Sequence, residues 1–157
     1  MSATTLTEPK TTAGTTAELL QATLAELIDL SIQGKQAHWT VTGPLFRPLH
    51  EELDAIVDDA RTWYDDVAER MAALGVAPDG RTATVVASSP LEALPAGWQK
   101  DADVVERFTS RLTAIAGRLR ERIAAVGDDE DLLSQDLLIG IGRDLEKHAW
   151  MLRVQGK

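Results

Sequence analysis

The sequence predicts an all-α protein, a single four-helix bundle with one long crossover between its second and third helices. Three observations carry this. Apolar residues recur at helical spacing in four stretches. Glycine and proline punctuate the chain at two short joints and one long one. The composition, 44% hydrophobic and 26% charged with 4% aromatics and no cysteine, suits a helical protein with a water-facing surface.

The first helix opens at Thr15-Thr16-Ala17-Glu18, which reads as a capping box, and continues through Leu20, Leu24, Leu27 and Ile28. It should extend to about Thr42, because Gly43-Pro44 supplies a terminating glycine and then a residue without the amide hydrogen a helix needs. The second helix carries Pro48 in its first turn and a stripe of Leu49, Leu53, Ile56, Ala60, Trp63, Val67, Met71 and Leu74, ending near Gly75. Residues 76–100 hold three prolines and two glycines and form the long connection, with one short helix expected at 91–94. Val104, Phe108, Leu112, Ile115, Leu119, Ile123 and Val126 trace the third helix, closed by Gly127. The acidic run Asp128, Asp129, Glu130, Asp131 opens the fourth, since negative charge is favoured at a helix N-terminus. Leu133, Leu137, Ile141, His148 and Leu152 share its apolar face. Short, long and short joints give the connectivity of a ferritin-like four-helix bundle. Residues 15–155 make one domain behind a flexible tail over 1–14, and no internal repeat is visible.

A chain of 157 residues supports one core of ordinary size. The formal net charge of −9 repels nucleic acid and anionic lipid and favours cations at acidic patches. Without cysteine there is no disulfide, zinc–thiolate or thiol chemistry. No run reaches the roughly 18 apolar residues of a membrane span, and the N-terminal stretch has neither the basic nor the apolar region of a secretory signal. A cytoplasmic location without membrane contact is the expectation.

The chemistry concentrates on the second helix. His50 and Asp54 are spaced i,i+4, as are Asp65 and Glu69, so each pair stacks two ligand-type side chains on one face. At 100° per residue, positions 50, 54, 58, 61, 65 and 69 fall within about a quadrant. Along the axis the two pairs lie roughly 22 Å apart at 1.5 Å per residue, too far to hold one ion. A second copy of the helix, antiparallel across a two-fold axis between positions 59 and 60, removes the difficulty. In that register His50 faces Glu69, Asp54 faces Asp65, and Asp58 faces Arg61, so both ligand pairs meet while an acid meets a base at the crossing. Ala60 is small enough for close approach there. A turn near residue 44 also brings His38 of the first helix level with His50. The candidate site is therefore His38, His50 and Asp54 from one subunit with Asp65 and Glu69 from a second, two such sites per dimer. Imidazoles and carboxylates without sulfur suit iron, with zinc or manganese as competitors. Each i,i+4 pair alone would read as a solvated helix face; the shared register is what lifts the set above that reading.

The stretches "GKQAHWTVTGPLFRPLHEELD", "YDDVAERMAALG" and "RDLEKHAWML" resemble the Dps family, the bacterial miniferritins. The His-Trp pair, the second histidine twelve places on, and acids four, fifteen and nineteen places beyond it match that family's ferroxidase pattern. The resemblance implies a hollow dodecamer of tetrahedral symmetry with iron centres at its two-fold interfaces, and it makes His38, His50, Asp54, Asp65 and Glu69 the iron ligands. It implies that ferrous iron is oxidised there, preferably by hydrogen peroxide, and that ferric oxide is stored inside. Trp39 matches the family's tryptophan near the centre, which intercepts stray oxidising equivalents; a core aromatic between helices is the other reading, and the two are compatible. Acidic pores near the start of the fourth helix would admit iron, with Asp131 and Asp136 as candidates and Asp128, Asp129 and Glu130 as an outer rim. Helix capping competes for at least one of these, and for Asp129 or Glu130 it is the better reading.

Two features depart from the family. The N-terminal arm is mostly threonine where several relatives carry lysine, and twelve copies of a −9 chain repel DNA, so DNA association should be weak or absent. There is also no Glu-x-x-His, the motif of di-iron sites inside one bundle. Asp144 and His148 form a further i,i+4 pair, but His148 on the apolar stripe reads as a satisfied core or interface histidine. Two other functions stand beside the iron-storing ferroxidase: a DNA-compacting protein with incidental metal, and a metal-dependent amide or ester hydrolase using the same centre.

Overall fold

The computed structural model describes the backbone of residues 12–156 and the side chains of 16–156. Helix α1 spans Thr12–Thr40, strand β1 Val41–Thr42, α2 Phe46–Ala73, α3 Thr82–Ser88, β2 Gln99–Lys100, α4 Asp101–Asp128 and α5 Leu132–Gln155. α1 and α2 form one antiparallel hairpin and α4 and α5 the other, with the long crossover between them. The fold is the all-α, ferritin-like bundle that the sequence predicts.

The core is the apolar stripe of each helix turned inward: Leu20, Leu24, Leu27 and Leu30 of α1, Leu49, Leu53, Ile56, Val67 and Met71 of α2, Phe108, Leu112, Ile115 and Leu119 of α4, and Leu138, Ile141, Leu145 and Leu152 of α5 are all buried. Each such side chain contributes about 1.5–3 kcal/mol by leaving water, so the hairpins are held chiefly by this seam. Where Gly34 of α1 faces α2, an added Cβ would lie 2.8 Å from Val57 Cγ2, so a larger residue would force Val57 to shift.

Four boundaries differ from the sequence reading. The capping box at Thr15–Glu18 does not start α1, whose backbone is already helical at Thr12; the Thr16 hydroxyl instead donates to Asp129 Oδ2 at 3.0 Å, across the bundle. The flexible tail expected over 1–14 falls outside the described residues for 1–11, and its last three residues are helical. α1 stops at Thr40, because Val41 and Thr42 pair in parallel with Gln99 and Lys100. The short crossover helix lies at Thr82–Ser88, and 91–94 is irregular chain between Pro90 and Pro95. Buried Val85 docks α3 on α1, and Gln21 holds its approach by accepting from the Asp79 amide and donating to the Asp79 carbonyl, both at 2.9 Å. Tertiary docking sustains a helix that its β-branched sequence does not advertise.

The acidic run does not open α5 as a unit. Asp128 ends α4, Asp129 follows as its C-cap residue, Glu130 turns through the left-handed region at φ 58, and Asp131 alone is the N-cap. Asp131 accepts from the Ser134 amide at 3.0 Å and the Ser134 hydroxyl at 2.6 Å, while Arg70 of α2 donates to it at 2.9 Å. Burial raises its pKa, but these bonds outweigh burial and hold the carboxyl below its usual range.

Two interior acid clusters bind the hairpins together. Glu26 of α1 is fully buried and accepts from Arg118 Nε at 2.7 Å and Arg122 Nη1 at 2.8 Å, both on α4. His148 of α5 is buried between two carboxylates of α2, with Nδ1 2.9 Å from Glu52 Oε1 and Nε2 2.7 Å from Asp59 Oδ2. A neutral imidazole has one N–H, so both contacts are hydrogen bonds only when the ring is a cation. Burial alone would lower its pKa, but the two carboxylates outweigh burial and raise it. This is the satisfied histidine that its place on the apolar stripe suggests.

The stabilisation from His148 is therefore present below the imidazole's ordinary value of 6.5 and is lost as pH rises through the raised folded-state value. Compared with His148→Gln, the wild-type advantage in Tm should be largest near pH 6 and shrink toward alkaline pH; a gap constant across pH would show that the ring is not protonated in the fold. Glu26→Ala leaves two arginines facing one another without their acid and should cost on the order of 3 kcal/mol in urea unfolding, the low end for breaking a buried pair because Arg118 still reaches solvent.

Candidate metal centre

The end of the α1–α2 hairpin carries the two histidines. His38 sits in the last turn of α1 and is buried; His50 sits in the second turn of α2 and is half-buried. Each ring bonds the other's backbone: His38 Nδ1 lies 2.7 Å from the His50 carbonyl oxygen, and His50 Nδ1 lies 2.8 Å from the His38 carbonyl oxygen. A carbonyl oxygen only accepts, so each Nδ1 must carry the hydrogen. In the neutral ring this leaves the Nε2 lone pair of both imidazoles free, the arrangement a metal-binding histidine needs. The rings are stacked, with centroids 3.6 Å apart and planes 19° from parallel, and Phe46 covers His50 with its centroid 5.1 Å away.

Asp54 stands one turn beyond His50 with Oδ1 3.5 Å from His38 Nδ1. The same oxygen accepts from Lys35 Nζ of α1. That bond holds the Asp54 carboxyl below its usual range against a small opposing effect of burial, so the group is ready as an anionic ligand. Lys35 and Phe46 are site residues that the sequence reading missed. Lys35 precedes His38 by three places and so shares its helix face, which was the available signal.

Asp65 and Glu69 are not part of this cluster. Both are exposed further along the unbroken α2, with no ion pair in the same chain among the described residues. The separation of roughly 22 Å between the two pairs follows from 1.5 Å per residue of continuous helix. Asp65 lines a surface groove of about 320 Å³ with Leu24, Ile28, Tyr64, Ala68, Pro78 and Gly80. Among the described residues of one protomer, no three His, Asp or Glu side chains converge as a metal cage. Three of the five candidate ligands are thus gathered at one end of α2 and two stand at the other.

The donor set fits a divalent transition metal in kind: two imidazoles with free Nε2 and a carboxylate kept ionised. Among the described residues the other acid clusters are already occupied: buried Glu26 is held by Arg118 and Arg122, and Glu52 and Asp59 by His148. Of the remaining candidates, Asp58 lies 3.6 Å from Arg61 within the same helix, and both are exposed. Trp39 is 61% exposed beside His38, so it is not a core aromatic of its own bundle. Asp136 is exposed one turn into α5, next to Leu132 and Leu133, while Asp131 is engaged in its cap. Asp129 accepts from Thr16, so the capping expected of Asp129 or Glu130 is performed by Asp131.

Residues 17–155 match the model of the ferritin-like domain family. The chain is 38% identical over 136 residues to DNA protection during starvation protein 2 of Deinococcus radiodurans, covering 87% of this chain and 56% of that one, so it spans little more than half of that relative's length. It is 34% identical over 141 residues to the DNA protection during starvation protein of Mycolicibacterium smegmatis, covering 87% of this chain and 74% of the relative. Among solved structures, the Dps of Microbacterium arborescens in its high iron form superposes with a TM-score of 0.87 at 34% identity, covering 95% of this chain and 96% of that one. With a family model matching nearly the whole chain and relatives of this identity covered over most of their length, the chain belongs to the Dps family of ferritin-like proteins.

Proposed function

We propose that this protein is a ferroxidase and iron-storage shell, oxidising ferrous iron, preferably with hydrogen peroxide, at centres shared between two subunits and keeping the ferric product inside. The observation that carries the reading is the half-site: His38, His50 and Asp54 stand ready at one end of α2, while Asp65 and Glu69 stand exposed at the other, with no ion pair among the described residues. An antiparallel pairing of two α2 helices completes both halves at once. Exposed apolar residues on α1, Ile32 at 56% and Trp39 at 61%, support a contact on this side of the bundle.

In the chemistry proposed, two ferrous ions each give one electron to peroxide; its O–O bond breaks and both oxygens leave as water after taking up protons. Delivering both electrons together avoids release of hydroxyl radical. The chain's own residues supply neutral nitrogen donors and ionised carboxylates that favour the ferric product, and Lys35 yields Asp54 to the incoming cation. Zinc or manganese would compete for the same donors. Twelve subunits forming a hollow shell, with Asp136 and Asp131 lining an entry for iron near the start of α5, complete the proposal. Trp39, exposed beside His38, is placed to take up stray oxidising equivalents. Protection of DNA then comes from removing ferrous iron and peroxide, since a −9 chain does not favour DNA contact.

Stopped-flow oxidation of ferrous iron by peroxide should be slower by about 10- to 100-fold in His50→Ala and in Asp65→Ala, the scale of loss when a metal site's ligand shell is disturbed. Shells co-assembled from the two variants should recover part of the rate, because each mixed pair contains one intact centre and one doubly broken. Wild-type rates in the single variants would remove the centre; no recovery on mixing would overturn the sharing of one centre between two subunits. In a gel shift across salt, DNA should be released well below physiological ionic strength, and retention there would favour the compacting function.

A further inference from the structure

We infer that Asp101, the first residue of α4, is a positioning residue for the histidine half-site. The inference rests on the metal-centre reading above. His38 and His50 belong to different helices, and their reciprocal bonds hold only if the joint over 41–45 keeps the two helix ends in register. That joint is held from outside the hairpin by three consecutive residues at the end of the crossover. Val41 and Thr42 pair with Gln99 and Lys100, and the Thr42 hydroxyl donates to the Gln99 carbonyl at 3.0 Å. Asp101 closes the clamp.

Its Oδ2 accepts from the Leu45 amide at 2.8 Å, while its Oδ1 accepts from the Ala102 amide at 2.8 Å. Leu45 is the N-cap residue of α2 and has no side-chain cap of its own. Asp101 therefore supplies, from another helix, the acceptor that the start of α2 lacks, and places a negative charge at its positive end. The fit is close: at Gly43, with φ 120, an added Cβ would lie 2.5–2.8 Å from the Asp101 carboxylate atoms. Glycine is needed there for the backbone conformation and for the space. Gln99 fixes the clamp in turn: it is buried, donates to the carbonyls of Pro95 and Gly97 at 3.2 Å, and accepts from Arg107 at 2.9 Å. The first turn of α2, held in this way, leads directly to His50 and Asp54.

Cobalt(II), titrated into the assembled protein and followed by its visible absorption, reads the half-site without oxidation. Asp101→Ala should weaken cobalt binding about tenfold, as loss of an orienting partner does, with the number of sites unchanged. Asp101→Asn, whose amide oxygen can still accept from Leu45, should stay within about threefold of wild type on the same scale. Ile115→Val, a core change in α4, controls for general loss of stability and should leave affinity unchanged. Thr42→Val removes the neighbouring tie on an exposed residue and should weaken binding in the same direction, which keeps the test open if Asp101→Ala fails to assemble. Wild-type affinity in Asp101→Ala, equal losses in the Ala and Asn variants, or, where Asp101→Ala does not assemble, wild-type affinity in Thr42→Val would overturn the inference. His50→Ala separates the two readings: if it binds cobalt normally the metal centre itself is wrong, whereas if it abolishes binding while Asp101→Ala does not weaken it, only the positioning role fails.

Discussion

Each of the two histidines at the hairpin end is oriented by the backbone of the other. This reciprocal bond does three things through one geometry. It ties the last turn of α1 to the second turn of α2, it sets both rings in a single tautomer, and it leaves both Nε2 atoms as acceptors with no partner among the described residues. Orientation by a carbonyl costs no charge, so the rings stack closely without a carboxylate between them. Phe46 lies against the His50 ring and Asp54 beside His38 Nδ1.

The distribution of charge separates structure from chemistry. The acids turned toward the bundle are paired there: buried Glu26 with two arginines of α4, Glu52 with buried His148, which also reaches exposed Asp59, and the half-buried cap Asp131 with Arg70. A buried carboxylate is tolerated only when so compensated. Asp65 and Glu69 on the α2 face are different, being exposed and without a cation partner among the described residues. Bundle interiors of this architecture can hold metal between helices; here arginine and histidine side chains take up the acids instead.

The crossover has a larger part than a connection. Its first half docks α3 on α1 through Val85 and the Gln21–Asp79 pair, and its last three residues grip the α1–α2 joint while starting α4. The two hairpins are thereby linked at the same end of the molecule that carries the imidazoles. Stability of the whole bundle and geometry of the half-site are coupled at this junction.

The sequence by itself determined the four helices, most of their buried stripes and the pairing of His38 with His50, because each depends on periodicity or on glycine and proline acting within a few residues; Leu133, on the apolar stripe read for the fourth helix, is instead 71% exposed. The sequence also set apart the ligand-type residues of α2, since i,i+4 spacing on a known rise per residue is a local calculation. What it left undecided was settled by contacts between residues far apart in the chain. Periodicity does not reveal that Val85 finds a seat on α1, so the crossover helix formed at Thr82–Ser88 and not at 91–94. Four consecutive acids look equivalent in sequence; only the approach of Arg70 and Thr16 from other helices made Asp131 the cap and gave Asp129 a different partner. The tautomer of the histidines, the hold of Lys35 on Asp54 and the cationic state of His148 likewise come from tertiary structure, because each is fixed by an acceptor or donor on another helix that spacing alone cannot name.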